Sequence, residues 1–177
     1  MSDPDRRKFL SIATCAIGGG VGLVSVAPVL RVILDPAGKE TVTSPSAPLD
    51  LGPAARFVAG EPPRRVEVIA PVVKDAWTAA RGVVLGAAWV TRIGPRPGDV
   101  DARSAICPHL GCGVGYDPAQ NNYLCPCHDS RFALSGDVLS GPSERGLDAL
   151  PVSVSADGRL LLTWERYKIG QATKERA

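Results

Sequence analysis

Two short stretches decide how this chain can fold: CPHLGC at 107–112 and CPCHDSRF at 125–132. Together they hold four of the five cysteines of the 177-residue chain and both of its histidines. Such a concentration of thiol and imidazole groups indicates a metal centre rather than scattered core cysteines. Because a metal site normally takes four protein ligands, the six groups exceed what one ion requires.

Each stretch contributes one Cys–His pair, at Cys107-x-His109 and at Cys125-x-x-His128. Zinc fingers instead pair Cys with Cys and His with His along the chain. Two matched loops, each with one thiolate and one imidazole, favour a binuclear centre with two Cys on one iron and two His on the other, the Rieske [2Fe–2S] arrangement. The alternative from a different class is a tethered structural zinc domain without a redox role, which would be colourless where a Rieske centre is brown-red.

The remaining composition favours a β domain. The chain has 19 Gly, 16 Pro and only 5% aromatic residues, a balance typical of loop-rich β structure. Strand patterns occur at 64–73, 81–93, 152–156 and 158–166, the last two joined by a turn at Ala156-Asp157-Gly158. Short helical turns are predicted at 54–59 and 75–80. We therefore predict an all-β, Rieske-like head, an antiparallel sandwich or small barrel with the metal loops inserted between strands.

The N-terminal region predicts a membrane anchor. Residues 9–30, FLSIATCAIGGGVGLVSVAPVL, form a run of 22 residues without a charge, and Arg6, Arg7 and Lys8 precede it. At about 1.5 Å per residue, a helix of this length crosses a hydrocarbon core of roughly 30 Å. The positive-inside rule places the N-terminus in the cytoplasm and the head on the outer, periplasmic side of a bacterial plasma membrane.

Two other interpretations of this segment fit the sequence less well. A cleaved signal peptide would be cut after Ser25-Val26-Ala27, but Pro28 would follow the cut directly, an unfavourable position. A buried helix is disfavoured because so small a domain would not cover a helix that is apolar all round. The segment DRRKFLS at 5–11 resembles a twin-arginine export signal, with Asp5 where Ser or Thr is usual.

These patterns divide the chain into four parts. We expect the cytoplasmic tip and anchor at 1–34, and a flexible hinge linker rich in Pro, Gly, Ser and Thr at 35–48. The head follows at 49–167, and a charged, solvated tail at 168–177 closes the chain. The net charge of +2, without a basic stripe, predicts no nucleic-acid partner.

The two stretches, followed by Gly141-Pro142, strongly resemble the Rieske iron–sulfur subunit of quinol–cytochrome c oxidoreductases, the cytochrome bc complexes. The likeness extends over the anchor, the Asp35-Pro36 pair and the RVEV and AWV strands, so it covers most of the chain. It is closest to the menaquinol-oxidising bacterial versions. The double motif is highly specific, whereas the anchor and strands alone would not be.

The resemblance implies one [2Fe–2S] cluster per chain, with Cys107 and Cys125 on the buried iron and His109 and His128 on the outer iron. It also implies a disulfide between Cys112 and Cys127 that ties the two loops together. An oxidising exterior would preserve this bond.

Three further positions bear on the redox potential. Ser130 matches a family serine whose hydroxyl bonds a bridging sulfide and raises the potential. Phe132 stands where a tyrosine often gives a second such bond, and Asp129 stands where glycine is common. A missing donor and an added anion both favour the oxidised cluster, so we expect a midpoint below the top of the Rieske range of about −150 to +300 mV.

The resemblance further implies that the cluster takes an electron from membrane quinol, with a proton to His109 or His128, and passes the electron to a c-type cytochrome. Leu110 would dock at the tip, and Gly141 and Pro142 would begin a shielding loop. Cytochrome b would supply most of the quinol site, in a membrane complex expected to be dimeric and surrounded by lipid. Catalysis as a quinol–cytochrome c oxidoreductase would belong to the complex.

Two relatives with similar chemistry are alternatives. The small Rieske subunit of an arsenite oxidase would suit Phe132, but the Cys112/Cys127 pair and the permanent anchor weigh against it. Rieske ferredoxins and oxygenase components lack both the extra cysteine pair and an anchor.

Overall fold

The computed structural model describes residues 3–37, 39, 41–42, 45, 47–75 and 77–177. They form two compact units. The first comprises Met1–Thr41 with Lys74–Ala79, and the second comprises Val42–Val73 with Ala80–Ala177. Part of the predicted hinge linker, namely residues 38, 40, 43, 44 and 46, lies outside the described residues.

The first unit contains one long helix, α1, at Asp3–Leu34. Within Pro4–Leu34, an 18-residue window has a mean hydropathy of 1.9, and none of that window is buried by the described part of the chain. Large apolar side chains such as Ile12 and Val24 are 70% and 77% exposed. A helix that is apolar all round and uncovered has the length and composition of a membrane span.

After α1, the described residues form ten strands and one 3-10 helix. The strands are β1 Leu49–Pro53, β2 Arg64–Lys74, β3 Ala79–Arg92, β4 Val100–Ser104, β5 Gly115–Asp117, β6 Asn122–Cys125, β7 Ser130–Phe132, β8 Val138–Ser140, β9 Val152–Val154 and β10 Arg159–Leu162. Three sheets result, with the orders β1-β10-β9, β2-β3-β4 and β5-β6-β7-β8. The registers among described residues are antiparallel, so the predicted all-β head is confirmed.

The two predicted helical turns fare differently. A 3-10 helix does form at Ala54–Arg56, and it ends at Phe57. The prediction at 75–80 is wrong for residues 79 and 80, which begin β3, and residue 76 lies outside the described residues. There the carboxylate of Asp75 accepts hydrogen bonds from the backbone N–H groups of Trp77 and Thr78, at 2.8 and 2.5 Å.

Two apolar clusters form the core of the head. The larger one packs β1 and β10 against β2, β3 and β4 around Val68, Val90 and Leu160. The smaller one lies under the two cysteine-rich stretches and includes Tyr123 and Phe132, both fully buried. The short strands β5–β8 therefore gain their stability from packing beneath the loops that they carry, since isolated short strands are marginal in water.

The C-terminal residues, expected as a solvated tail, are mostly exposed but fold back within the second unit. The N–H of Lys168 donates to the carbonyl of Glu175, and the N–H of Ala177 donates to the carbonyl of Arg166, both at 2.9 Å. The segment thus has a defined conformation of its own.

Candidate metal centre

The first loop runs from Cys107 to Cys112. The residues that flank it, Ile106 and Gly113, form an isolated antiparallel β-bridge. The N–H of Cys107 donates to the carbonyl of Cys112 at 2.8 Å, and the N–H of Gly111 donates to the carbonyl of Cys107 at 2.9 Å. Gly111 adopts a φ of +78°, a conformation that glycine reaches without steric cost. These bonds close the loop and set its first and last cysteines side by side.

The second loop connects β6 to β7, where Cys125 and Ser130 are directly paired. Asp129, the last residue before β7, has a φ of +54°. Asp is among the few residues that enter the left-handed region readily, which explains how it replaces a glycine here. Its carboxylate is largely exposed and lies 3.6 Å from the guanidinium of Arg131, so its charge acts on the site through water and beside a cation.

A disulfide joins Cys112 at the end of the first loop to Cys127 in the second, as the resemblance implied. The sulfurs of Cys112, Cys125 and Cys127 all lie within 4.8 Å of one another. Because two of these atoms are bonded to each other, Cys125 remains the available ligand of the three. The cross-link holds the two loops, otherwise separate in the chain, against one another.

The four proposed ligands divide by burial. Cys107 and Cys125 are free thiols, each 1% exposed, whereas His109 is half-buried and His128 is exposed. The two imidazole rings meet edge to face, with centroids 4.9 Å apart. The site therefore has a thiol end inside the protein and an imidazole end at its surface.

Burial raises the pKa of the Cys107 thiol, which reaches about 11 although the backbone N–H groups of His109 and Leu110 lower it; the neighbouring Cys125 thiol contributes to the rise. A buried thiol with a raised pKa stays protonated at neutral pH unless a cation lies beside it. Iron supplies such a charge, and the two N–H groups already point at the sulfur that would carry the negative charge.

Ser130 provides an independent test of whether an iron–sulfur cluster fits. Its side chain is fully buried, and its Oγ has no hydrogen-bond partner among the described residues. Leaving a buried hydroxyl unpaired costs about 1–3 kcal/mol. A sulfide of a cluster whose iron is bound by Cys125, the strand partner of Ser130, would supply the missing acceptor. The donor set therefore fits a [2Fe–2S] cluster with two Cys and two His ligands.

The segment after β8 lies directly on the second loop. Gly141 has a φ of +93°, and a Cβ placed there would lie 2.5 Å from the Cα of Ser130. Pro142 is exposed, and Leu110 at the first loop is 56% exposed. Gly141 thus lets the backbone approach the second loop closely. A loop that shields the cluster, as predicted from the sequence, requires such an approach. Phe132 is fully buried below, opposite Tyr123.

A buried ion pair near the site, Arg145 with Asp148, was not predicted from the sequence. The side chains are only 8% and 7% exposed, and their closest N–O distance is 3.0 Å. No local pattern announces it, because its other partners lie more than 20 residues further along the chain.

Comparison with known proteins identifies a family model and several relatives. The model of the Rieske [2Fe-2S] domain matches residues 73–151. The menaquinol:cytochrome c reductase iron-sulfur subunit of Geobacillus thermodenitrificans is 33% identical over 165 residues, covering 89% of this chain and 89% of the relative. The cytochrome b6-f complex iron-sulfur subunit of Synechococcus elongatus is 28% identical over 166 residues, covering 92% and 88%. The plasma membrane Rieske protein PetC3 from Synechocystis PCC 6803 is 24% identical, with a TM-score of 0.45, and the match covers 66% of this chain and 99% of that one.

The fold and the site define a Rieske [2Fe–2S] protein. More particularly, the chain belongs to the family of Rieske iron–sulfur subunits of cytochrome bc-type complexes. It carries a [2Fe–2S] cluster and serves in electron transfer, and its apolar N-terminal helix is a single-pass membrane anchor.

Replacing Ser130 by alanine is expected to lower the midpoint potential while the cluster stays bound. A hydrogen bond to a charged acceptor contributes about 1.5–3 kcal/mol, and about 1.4 kcal/mol corresponds to 59 mV for one electron, so the decrease would reach up to roughly 130 mV. Redox titration of the EPR signal measures it. Ser153→Ala, at an exposed position of β9, is the matched control and should leave the potential unchanged. An unaltered potential in Ser130→Ala would contradict the assigned hydrogen bond.

Replacing Gly141 by alanine is expected to destabilise the head by about 1–3 kcal/mol and to speed bleaching of the cluster. The added Cβ would press on the backbone of Ser130, and alanine is strained at this positive φ. Gly98→Ala, where a Cβ meets nothing within 4 Å, is the control. Equal stability and bleaching in the two variants would show that the segment is free to move off the loop.

Proposed function

We propose that this chain takes one electron from membrane quinol, together with a proton to a histidine ligand, and passes the electron to a c-type cytochrome. The observation that carries the proposal is the division of the site into buried thiols and surface imidazoles. The buried end holds the metal away from water, and the exposed end is where a substrate from another subunit can reach. The family membership supports the electron-transfer role.

The cluster would be held by four ligands and, when bound, would act as a one-electron acceptor. These ligands are Cys107, His109, Cys125 and His128. Each histidine uses one ring nitrogen as a ligand, and the other nitrogen of His109 or His128 can accept the quinol proton at the surface. An added electron on the adjacent iron would make that nitrogen a better proton acceptor, so electron and proton transfer would be coupled. Leu110, exposed beside His109, would contact the pocket of the partner subunit.

The partners proposed are cytochrome b, which would form most of the quinol pocket, and a c-type cytochrome. The Geobacillus relative is described as a menaquinol:cytochrome c reductase subunit, which supports menaquinol as the donor. Phe132 and Asp129 also support menaquinol, because both favour a lower redox potential of the cluster. Arg6, Arg7 and Lys8 before the helix support a cytoplasmic N-terminus and a head on the opposite side of the membrane.

The experiment that tests this function is an EPR spectrum of the dithionite-reduced chain, followed by redox titration and quinol oxidation in the assembled complex. Mixed Cys/His ligation gives a lower mean g value than an all-cysteine cluster, because the two irons then have different ligands. The midpoint is expected below the top of the Rieske range. A silent spectrum from a chain loaded with zinc would overturn the proposal, as would an intact cluster that quinol fails to reduce in the complex.

Stiffening the linker at 35–48 is expected to block turnover without changing the spectrum. A head that must travel between two partners needs a flexible connection, whereas proline restricts the backbone. The double variant Thr41→Pro/Ala47→Pro should lower turnover of the complex by at least about tenfold, as expected for a slowed conformational step. Thr41→Ala/Ala47→Gly is the matched control. Full turnover with both prolines present would rule out a swinging head.

A further inference from the structure

The last twelve residues, 166–177, form a segment that we call the C-terminal strap. Backbone bonds close it between Lys168 and Glu175 and between Arg166 and Ala177. The ammonium of Lys174 lies 4.3 Å from the ring centroid of Tyr167 and donates to the carbonyl of Ala149 at 2.9 Å. The strap is therefore a folded element, attached to the head at several points.

One point of attachment lies inside the first cluster loop. The N–H of Gly170 donates to the carbonyl of Pro108 at 2.9 Å. Pro108 stands between the proposed ligands Cys107 and His109. The Cδ1 of Ile169 lies 3.5 Å from where a Cβ on Gly111 would be, so the strap approaches the same loop at a second position.

Arg145 holds the strap in this position. Its guanidinium donates to the carbonyl of Gln171 at 2.6 Å and to the carbonyl of Lys168 at 2.7 Å, on either side of Gly170. It also donates to both carboxylate oxygens of Asp148, at 3.1 and 3.0 Å. The side chains of Arg145 and Asp148 are nearly fully buried, so water does not replace these bonds easily.

We propose that Arg145 is a positioning residue that clamps the C-terminal strap onto the first cluster loop and so keeps the loop closed around the cluster. This inference rests on the ligand set proposed above. Opening of the loop between Cys107 and His109 requires the bond from Gly170 to Pro108 to break. The clamp makes that opening rarer and therefore slows entry of water and loss of iron.

The planar fork of arginine is essential to this role. Four acceptors surround the guanidinium: two carboxylate oxygens and two carbonyls. Lysine at the same position keeps the charge beside Asp148, so the buried carboxylate is not left without a cation. Its single ammonium cannot reach carbonyls on both sides of Gly170, because lysine has a compact group with three donors rather than an extended plane.

The test compares the full-length, cluster-loaded chain with Arg145→Lys and with a chain ending at Tyr167. Arg96→Lys is the matched control, since Arg96 pairs with Asp99 at the surface and its side chain is 85% exposed. The first measurement is the rate of bleaching of the cluster in the presence of a chelator. The second is hydrogen exchange in peptides that cover 104–113 and 123–132, recorded with and without the cluster.

Both altered chains are expected to bleach about tenfold faster than the unaltered chain, the change that corresponds to about 1.4 kcal/mol of lost protection. Exchange should rise in 104–113 and stay unchanged in 123–132. Combining Arg145→Lys with the truncation should add little, because both remove the same clamp. Arg96→Lys should match the unaltered chain in every measurement.

Equal bleaching rates, or exchange that rises equally in both peptides, would overturn the proposal, since the second result indicates a loss of stability throughout the head. Failure of the proposed electron-transfer function is distinguishable. It would appear as the wrong EPR signature or as the absence of reduction by quinol, in the unaltered chain. The exchange measurement on cluster-free chain needs neither property.

Discussion

Alanine in place of Cys107 is expected to remove nearly all iron from the purified chain and to abolish its EPR signal. Cys107 is 1% exposed and lies beside Cys125. Its loss leaves one thiolate for an iron that needs two, because the nearby Cys112 and Cys127 are bonded to each other. Water cannot take the position cheaply in a site from which it is excluded. Iron content per chain and the spectrum after reduction are the two measurements.

The matched control is Cys15→Ala, because Cys15 is exposed on α1 and distant in sequence from both loops. It should retain iron and signal in full. The same experiment extends to His109→Ala, which removes an imidazole from the surface end and should also lose the cluster. Retention of a normal Rieske signal in Cys107→Ala would refute the ligand set.

Removing the disulfide with Cys112→Ser/Cys127→Ser is expected to lower the free energy of unfolding by about 3 kcal/mol. The bond closes a loop between cysteines 15 residues apart, and a loop of that size restricts the unfolded chain by about this amount. The loops should also separate more often, so bleaching should accelerate. Urea unfolding followed by the fluorescence of the buried Trp89 and Trp164 measures the stability.

Reduction of the unaltered chain with a thiol reagent should reproduce the effect of the double serine variant. Agreement between the two would assign the loss to the missing cross-link rather than to the serine side chains. If the reduced and oxidised chains unfold at the same urea concentration and bleach at the same rate, the disulfide does not hold the loops together.

Local pattern was sufficient for the architecture of the head. Alternation at 64–73 and the apolar run at 81–93 became β2 and β3, and the turn signal at Ala156-Asp157-Gly158 became the β9–β10 hairpin. These predictions succeed because strand periodicity and turn chemistry act over a few neighbouring residues. The helical turn expected at 75–80 is overturned at residues 79 and 80, because pairing of β3 in the sheet overrides weak local propensity.

The sequence by itself determined the family, the anchor and the candidate ligands, because thiol and imidazole chemistry at this spacing has few uses. The tertiary structure alone decided that Ser130 is fully buried and that the backbone at Gly141 lies so close to it that a Cβ would not fit. It likewise decided that Arg145 donates hydrogen bonds to carbonyls 23 and 26 residues further along the chain. Such contacts join segments far apart in the chain, and their energies depend on burial, which no local pattern of residue types encodes.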